Sequence, residues 1–234
     1  MIKLTNVLAA DYTQKEDDVM TAWSIFEIMG IIAFAVSGAL TGIQKRLDVF
    51  GVLVLAVTTA IGGGVLRDAI IGNTPPLTFR DPTFFIISAL ATIAVFFTYR
   101  WLDRFKYTIQ IFDAIGLGAF TATSAKLALQ HNLDSLLIVT TVAVITGIGG
   151  SVMRDVFVKE IPYVFRQEVY AITTIVGAMA LYYSQAYFAG NIPLYLCFCI
   201  TTGLRICCIK YGWNFPVLGM DSKRTVSGGR DSGR

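Results

Sequence analysis

The chain has 234 residues, of which 55% are hydrophobic and 15% charged, against about 25% charged in an ordinary soluble domain. With a mean hydropathy of +0.63 it has too few polar side chains to cover a fold of this length, which excludes water as the solvent for most of it. The net charge of +3 excludes nothing by itself, because in a membrane protein the placement of Lys and Arg carries the information.

A bilayer core of about 30 Å takes about 20 residues of helix, and the chain divides accordingly. Residues 1–22 read as an external N-terminal segment, acidic at Glu16, Asp17 and Asp18. They lack the basic start, short apolar core and small-residue cleavage site of a signal peptide, so the first apolar span is expected to stay in the membrane. Seven spans follow, at 23–42, 51–72, 82–101, 109–130, 136–158, 163–184 and 192–209. Residues 211–234, polar and rich in glycine, are expected to form a flexible tail. Leu, Ile, Ala and Phe run continuously through the spans, without the alternation of ten-residue barrel strands. The fold class is all-α integral membrane, with seven transmembrane helices.

Lys45 and Arg46 follow the first span, and Arg100, Arg104 and Lys106 follow the third. Lys159 and Arg166 flank the start of the sixth, and Lys210, Lys223, Arg224, Arg230 and Arg234 follow the seventh. Only Lys3, Lys15 and Arg80 fall on the other side. This twelve-to-three imbalance puts the N-terminus outside and the C-terminus in the cytoplasm. Cys197, Cys199, Cys207 and Cys208 all lie in the seventh span with no zinc-like spacing, and read as reduced, buried, small apolar residues. His131, the single histidine, reads as a loop surface residue. No nucleophile, base and metal constellation stands at usable spacing, so no catalytic residue and no metal site is assigned.

The chain also repeats itself at an offset of 86 to 87 residues. Phe26-Glu27 answers to Phe112-Asp113, Gly30 to Gly116, Ala33-Phe34 to Ala119-Phe120 and Ser37 to Thr123. After a one-residue slip, Gly62-Gly63-Gly64-Val65-Leu66-Arg67-Asp68 answers to Gly149-Gly150-Ser151-Val152-Met153-Arg154-Asp155, and Pro75 to Pro162. The units are 23–105 and 106–188, followed by a seventh helix at 189–210 that packs peripherally, and the tail. Three spans per unit is an odd number, so the second copy enters the membrane inverted; such repeats place function at their interface.

Each glycine costs a helix about 1 kcal/mol relative to Ala, so Gly62, Gly63 and Gly64, and again Gly149, Gly150 and Ser151, predict a kink or an unwound turn. Unpaired backbone is tolerated in a bilayer only against protein or a wet cavity, which would make these turns part of a conduit. Close helix packing is the competing role. Charges inside spans are costly and informative: Glu27, Arg67, Asp68, Asp113, Lys126, Arg154, Asp155 and Arg205. For Arg67, Asp68, Arg154 and Asp155 the readings are structural charge pairs across the repeat interface, the lining of a pore mouth, or snorkelling to headgroups. Gly116, Ala119, Thr123, Lys126 and Gln130 form one stripe, matched by Gly30, Ala33, Ser37, Leu40 and Gln44. The match breaks at Lys126 against Leu40, which makes Lys126 either a gating charge or a snorkelling one. Glu27, Asp113, Ser37 and Thr123 are further pore-lining or gating candidates.

The doubled Gly-Gly-Gly-x-x-Arg-Asp and Gly-Gly-Ser-x-x-Arg-Asp, with Ser-Gly-Ala-Leu-Thr-Gly at 37–42 and Lys-Arg-Leu-Asp-Val-Phe-Gly at 45–51, resemble the bacterial family of duplicated three-helix units. That family includes the prokaryotic trimeric intracellular cation (TRIC) channels and UPF0126-type glycine-transporter repeats. The resemblance covers about residues 24–210. It implies a homotrimer in the bacterial inner membrane, with a pore in each subunit lined by spans 1, 2, 4 and 5. It also implies potassium-permeable, weakly selective monovalent cation conduction past bends at Gly62, Gly63, Gly64, Gly149 and Gly150, with Ser151 departing from the pattern. Membrane lipid and K+ or Na+ are the expected partners, with no cofactor, metal or nucleic acid. Some members are described as small-amino-acid transporters, so a glycine carrier with alternating access is the alternative.

Overall fold

The computed structural model describes residues 2–102, 104, 107–166 and 169–212, with the side chains of 2–20, 166 and 169 left aside. The expected tail lies, from residue 213 on, outside the described residues. Within them the secondary structure is helical: α1 (Ile2–Gln44), α2 (Val49–Ile71), the short α3 (Leu77–Arg80), α4 (Thr83–Leu102), α5 (Thr108–Gln130), α6 (Leu136–Phe157), the short α7 (Tyr163–Arg166), α8 (Val169–Ser184) and α9 (Ile192–Tyr211).

Local chemistry sets several of these ends. Asp48 caps α2 by accepting from the Gly51 amide at 2.6 Å, one of the orphan donors of a helix start. Gly72, at φ 83°, ends α2 in the left-handed conformation open to glycine. The first helix departs from expectation by starting at Ile2 rather than at 23. Residues 2–29 contain no Gly or Pro, so nothing in the backbone stops a helix there. The sixth expected span is represented by α7 and α8, on either side of residues 167–168. The short α3 lies between the second and third expected spans and α7 at the start of the sixth; they sit 86 residues apart and follow Pro75-Pro76 and Pro162.

Five helical segments are long and apolar enough to cross a bilayer: Thr21–Gln44, Val49–Ile71, Thr83–Leu102, Leu136–Phe157 and Ile192–Tyr211. The chain is an all-helical membrane protein. The α5 helix has comparable length but carries Gln110, Asp113, Lys126 and Gln130 among small residues, and it is the most centrally packed helix, touching α1, α6, α8 and α9. Its Ala119, Ala122, Ala125 and Ala128 are fully buried against Trp23, Phe26, Val139, Leu181 and Leu194, the small-residue packing that lets helices approach where lipid supplies no hydrophobic drive. By contrast α4 turns Ile86, Leu90, Ile93 and Phe97 outward.

The triple-glycine segments are not unwound. Helix runs without interruption through 62–64 in α2 and through 149–151 in α6, which keeps every backbone group paired within its own segment. The cysteine expectation also needs correction. Cys197 and Cys208 are buried, whereas Cys199 and Cys207 are exposed, and all four are free thiols. Positions 197 and 208, about three helical turns apart, share the face that α9 packs on α5 and α8.

Candidate functional site: two buried guanidinium clusters and the helix crossing between them

In the first repeat Arg67 is 1% exposed, so it does not snorkel. Its Nε donates to Asp68 Oδ1 at 2.9 Å and its Nη1 to Glu27 Oε1 at 2.8 Å. The second oxygen of Asp68 accepts from the Leu77 amide at the start of α3, at 2.7 Å. The Trp23 ring lies 5.6 Å from the guanidinium. The rigid guanidinium fork suits this sharing of one cation between two carboxylates.

The second repeat builds the same object. Arg154 Nε donates to Asp155 Oδ1 at 2.9 Å, Nη1 donates to Asp113 Oδ1 at 2.7 Å, and Asp155 Oδ2 accepts from the Tyr163 amide at the start of α7, at 2.9 Å. Each guanidinium thus pairs with the aspartate beside it and with the acid of its own repeat, Glu27 or Asp113, so that these ion pairs lie within a repeat and not across the repeat interface.

The two copies differ in ways that explain a departure in the sequence. Tyr170 donates to Asp113 Oδ2 at 2.5 Å and lies 2.9 Å from Ser151 Oγ. At the 86-residue offset of α3 and α7 its first-repeat counterpart is Phe84, and at the 87-residue offset of the glycine segments the counterpart of Ser151 is Gly64. Ser151 therefore replaces the third glycine where a hydroxyl is available to meet it, and Glu27 Oε2, lacking that service, has no hydrogen-bond partner among the described residues. Arg154 also donates to Ser37 Oγ across the repeats at 2.5 Å. Arg205 of α9 stacks over Tyr170 and Tyr163 at 4.6 and 5.2 Å, so the seventh long helix is not merely peripheral. Tyr170→Phe would leave a buried carboxylate oxygen without its donor and is expected to cost about 1–3 kcal/mol. An unchanged thermal midpoint in detergent would deny the hydroxyl this role.

Beside the second cluster lies a cavity of about 340 Å³, whose lining includes Leu40, Gln44, Asp113, Arg154, Asp155 and Tyr163. Lys45 and Glu160 also line it and form an ion pair with each other. The stripe on α1 divides accordingly: Leu40 and Gln44 face the cavity, Ser37 meets Arg154, and Gly30 packs against Phe120. On α5, Thr123 is buried and its carbonyl accepts from Trp23 Nε1 at 3.1 Å, while its hydroxyl stays on its own helix with Phe120 O at 3.4 Å. Lys126 is half-buried and makes no hydrogen bond or ion pair among the described residues.

The glycines meet the opposite repeat. A β-carbon on Gly63 would collide with the Thr146 carbonyl of α6, and one on Gly150 with the Thr59 carbonyl of α2. One on Gly149 would come within 2.8 Å of Leu66 and 3.4 Å of the Gly63 Cα. The glycine segments are thus the point where α2 and α6 cross backbone to backbone. Gly62 faces the flexible Met153 side chain, and Gly64 has no neighbour nearer than 3.8 Å. Sequence reasoning missed Trp23, Tyr163 and Tyr170; Ser151 in place of a third glycine was the signal available for the last.

Comparison with known proteins gives the same duplication. The profile of the glycine transporter family matches residues 24–100 and again 110–186. A UPF0126 membrane protein of Deinococcus radiodurans is 37% identical over 180 residues, 74% of this chain and 83% of its own. The UPF0126 inner membrane protein YadS of Escherichia coli K12 is 32% identical over 200 residues, 83% and 95% of the two chains. Among solved structures, a prokaryotic TRIC channel crystallised in 0.5 M KCl is similar with TM-score 0.79 and 37% identity, over 84% of this chain and 100% of that one. Another, solved in work on conductance through TRIC cation channels, gives TM-score 0.77 and 34% identity, over 85% and 98%.

Proposed function

This chain belongs to the glycine transporter (UPF0126) family, which takes in the bacterial TRIC channels, and from that premise we propose that it is a potassium-permeable monovalent cation channel with one pore in each subunit of a homotrimer. The observation that carries the reading is the likeness, over their whole length, to solved cation channels. The subunit is read as seven transmembrane helices: two inverted three-helix repeats, at 23–105 and 106–188, and a seventh helix at 189–210. It sits in the bacterial inner membrane, N-terminus outside and C-terminus in the cytoplasm, with its outward apolar faces on lipid. Ions pass between α1, α2, α5 and α6, by the glycine segments at 62–64 and 149–151, with Ser37 and Thr123 near the path. The guanidinium clusters hold its walls, one arginine shared between two carboxylates in each, so that each of these acids has a cation beside it in low dielectric.

A glycine carrier with alternating access is the second reading. One observation favours it: the cavity presents guanidinium and carboxylate together at Arg154 and Asp113, which a zwitterion could address. Reconstitution in a planar bilayer separates the two. Discrete potassium currents are expected; saturable glycine exchange without unitary current would overturn the channel. Lys126 stands where the first repeat has the uncharged Leu40 and acts as a gating charge. A full charge crossing the field is worth about 2.3 kcal/mol per 100 mV. Lys126→Gln is expected to flatten the voltage dependence of opening, and an unaltered open probability curve would return Lys126 to a role at the interface.

A further inference from the structure

Phe34 of α1 and Phe120 of α5 occupy the same position in the two repeats. They meet each other at 5.4 Å between ring centroids, and are 0% and 1% exposed. Each ring lies on glycines of the other repeat. A β-carbon on Gly116 would stand 2.8 Å from Phe34, and one on Gly150 3.4 Å from it; the corresponding distances to Phe120 are 2.9 Å from Gly30 and 3.5 Å from Gly63. Four glycines on four different helices, α1, α2, α5 and α6, thus form the sockets of two rings.

Along α1, Phe34 stands between Glu27, held by Arg67, and Ser37, held by Arg154. Phe34 follows Glu27 by seven residues and Phe120 follows Asp113 by seven, about 10 Å of helix in each case. Ile31, Ala35, Ala60 and Ile61 complete an apolar layer around the rings. The cavity lined by Leu40, Asp113 and Arg154 gives way along α1 and α5 to this layer. An ion stripped of water pays heavily to enter such a zone, and apolar constrictions close pores by excluding water.

We propose that Phe34 and Phe120 form the closed gate of the conduction path, a two-ring apolar plug seated in glycine sockets at the centre of the subunit. The proposal rests on the channel reading above. Movement of the two rings out of their sockets opens the route while the guanidinium clusters stay paired.

A purely structural role predicts the opposite sign from a gate. Emptying a core site weakens the fold and lowers activity, whereas removing a plug raises the open fraction. The test is single-channel recording of the purified full chain in planar bilayers of one fixed lipid composition, in symmetric KCl. Wild type is compared with Phe34→Leu, Phe34→Ala, Phe120→Ala and the double alanine variant. Size-exclusion elution and helical circular dichroism report whether each variant is folded. The closed-to-open ratio is expected to fall by about tenfold or more in the alanine variants, the change that about 1.4 kcal/mol produces, with Phe34→Leu in between. Should the alanine variants not fold, Phe34→Leu alone must still lower that ratio. Folded variants with an unchanged or raised ratio overturn the plug while leaving the channel intact. Absence of current from wild type and every variant overturns the channel reading itself. A silent wild type beside conducting alanine variants supports the plug most directly.

Discussion

Replacing Arg154 by Met is expected to lower the stability of the purified protein by about 3–5 kcal/mol, because it leaves buried carboxylates without their shared cation. Arg154 serves Asp113 and Asp155 at 2.7 and 2.8 Å and also reaches Ser37 in the first repeat, so the loss falls on the contact between the repeats as well as within one. The triple variant Arg154→Met, Asp113→Asn, Asp155→Asn is expected to recover much of it, since desolvating a neutral group costs far less than desolvating a charge. Lys45→Ala is the control. That residue's pair with Glu160 is 41% exposed on each side, and exposed pairs contribute about 0–1 kcal/mol. Thermal unfolding in one detergent measures all three. Equal shifts for Arg154→Met and Lys45→Ala would mean that the cluster is no stronger than a surface contact.

Gly63→Ala and Gly64→Ala are expected to act in opposite directions although the residues are neighbours in one helix. Alanine improves a helix by about 1 kcal/mol over glycine. At position 64 nothing stands nearer than 3.8 Å to the new methyl, so the gain is kept and stability rises. At position 63 the methyl meets the Thr146 carbonyl, a backbone atom that moves only if α6 moves, and overpacking of this kind costs about 1–3 kcal/mol. Gly150→Ala meets the Thr59 carbonyl and is expected to repeat the loss. Melting temperatures in detergent and potassium flux in vesicles read the effect. If 63 and 64 respond alike, the glycines serve helix flexibility and not the crossing of α2 with α6.

The doubled Arg-Asp pairs and their acids could be picked out from sequence because charge inside an apolar span stands out. The roles of the glycines could not, because a glycine that permits an unwound turn and one that permits a close crossing leave the same letters. What separates them is the Thr146 carbonyl opposite Gly63, supplied by a segment more than eighty residues away. Ser151 looked like a flaw in the second repeat until Tyr170 stood beside it at 2.9 Å. Trp23 marks only the edge of a span in the sequence, and its place over Arg67 depends on how α1 leans on α2. The hydropathy that marks five helices passes over α5, because the helix most enclosed by protein has least need to be apolar toward lipid.

Membrane residence, the placing of most spans and the duplication were determined by the sequence alone, since each is a property of local composition or of self-similarity along one chain. The tertiary structure decided which carboxylate shares which guanidinium, which glycine touches a backbone, and where the two phenylalanines meet. Those are relations between helices, and their energies depend on separations of a few ångströms that no spacing along the chain encodes.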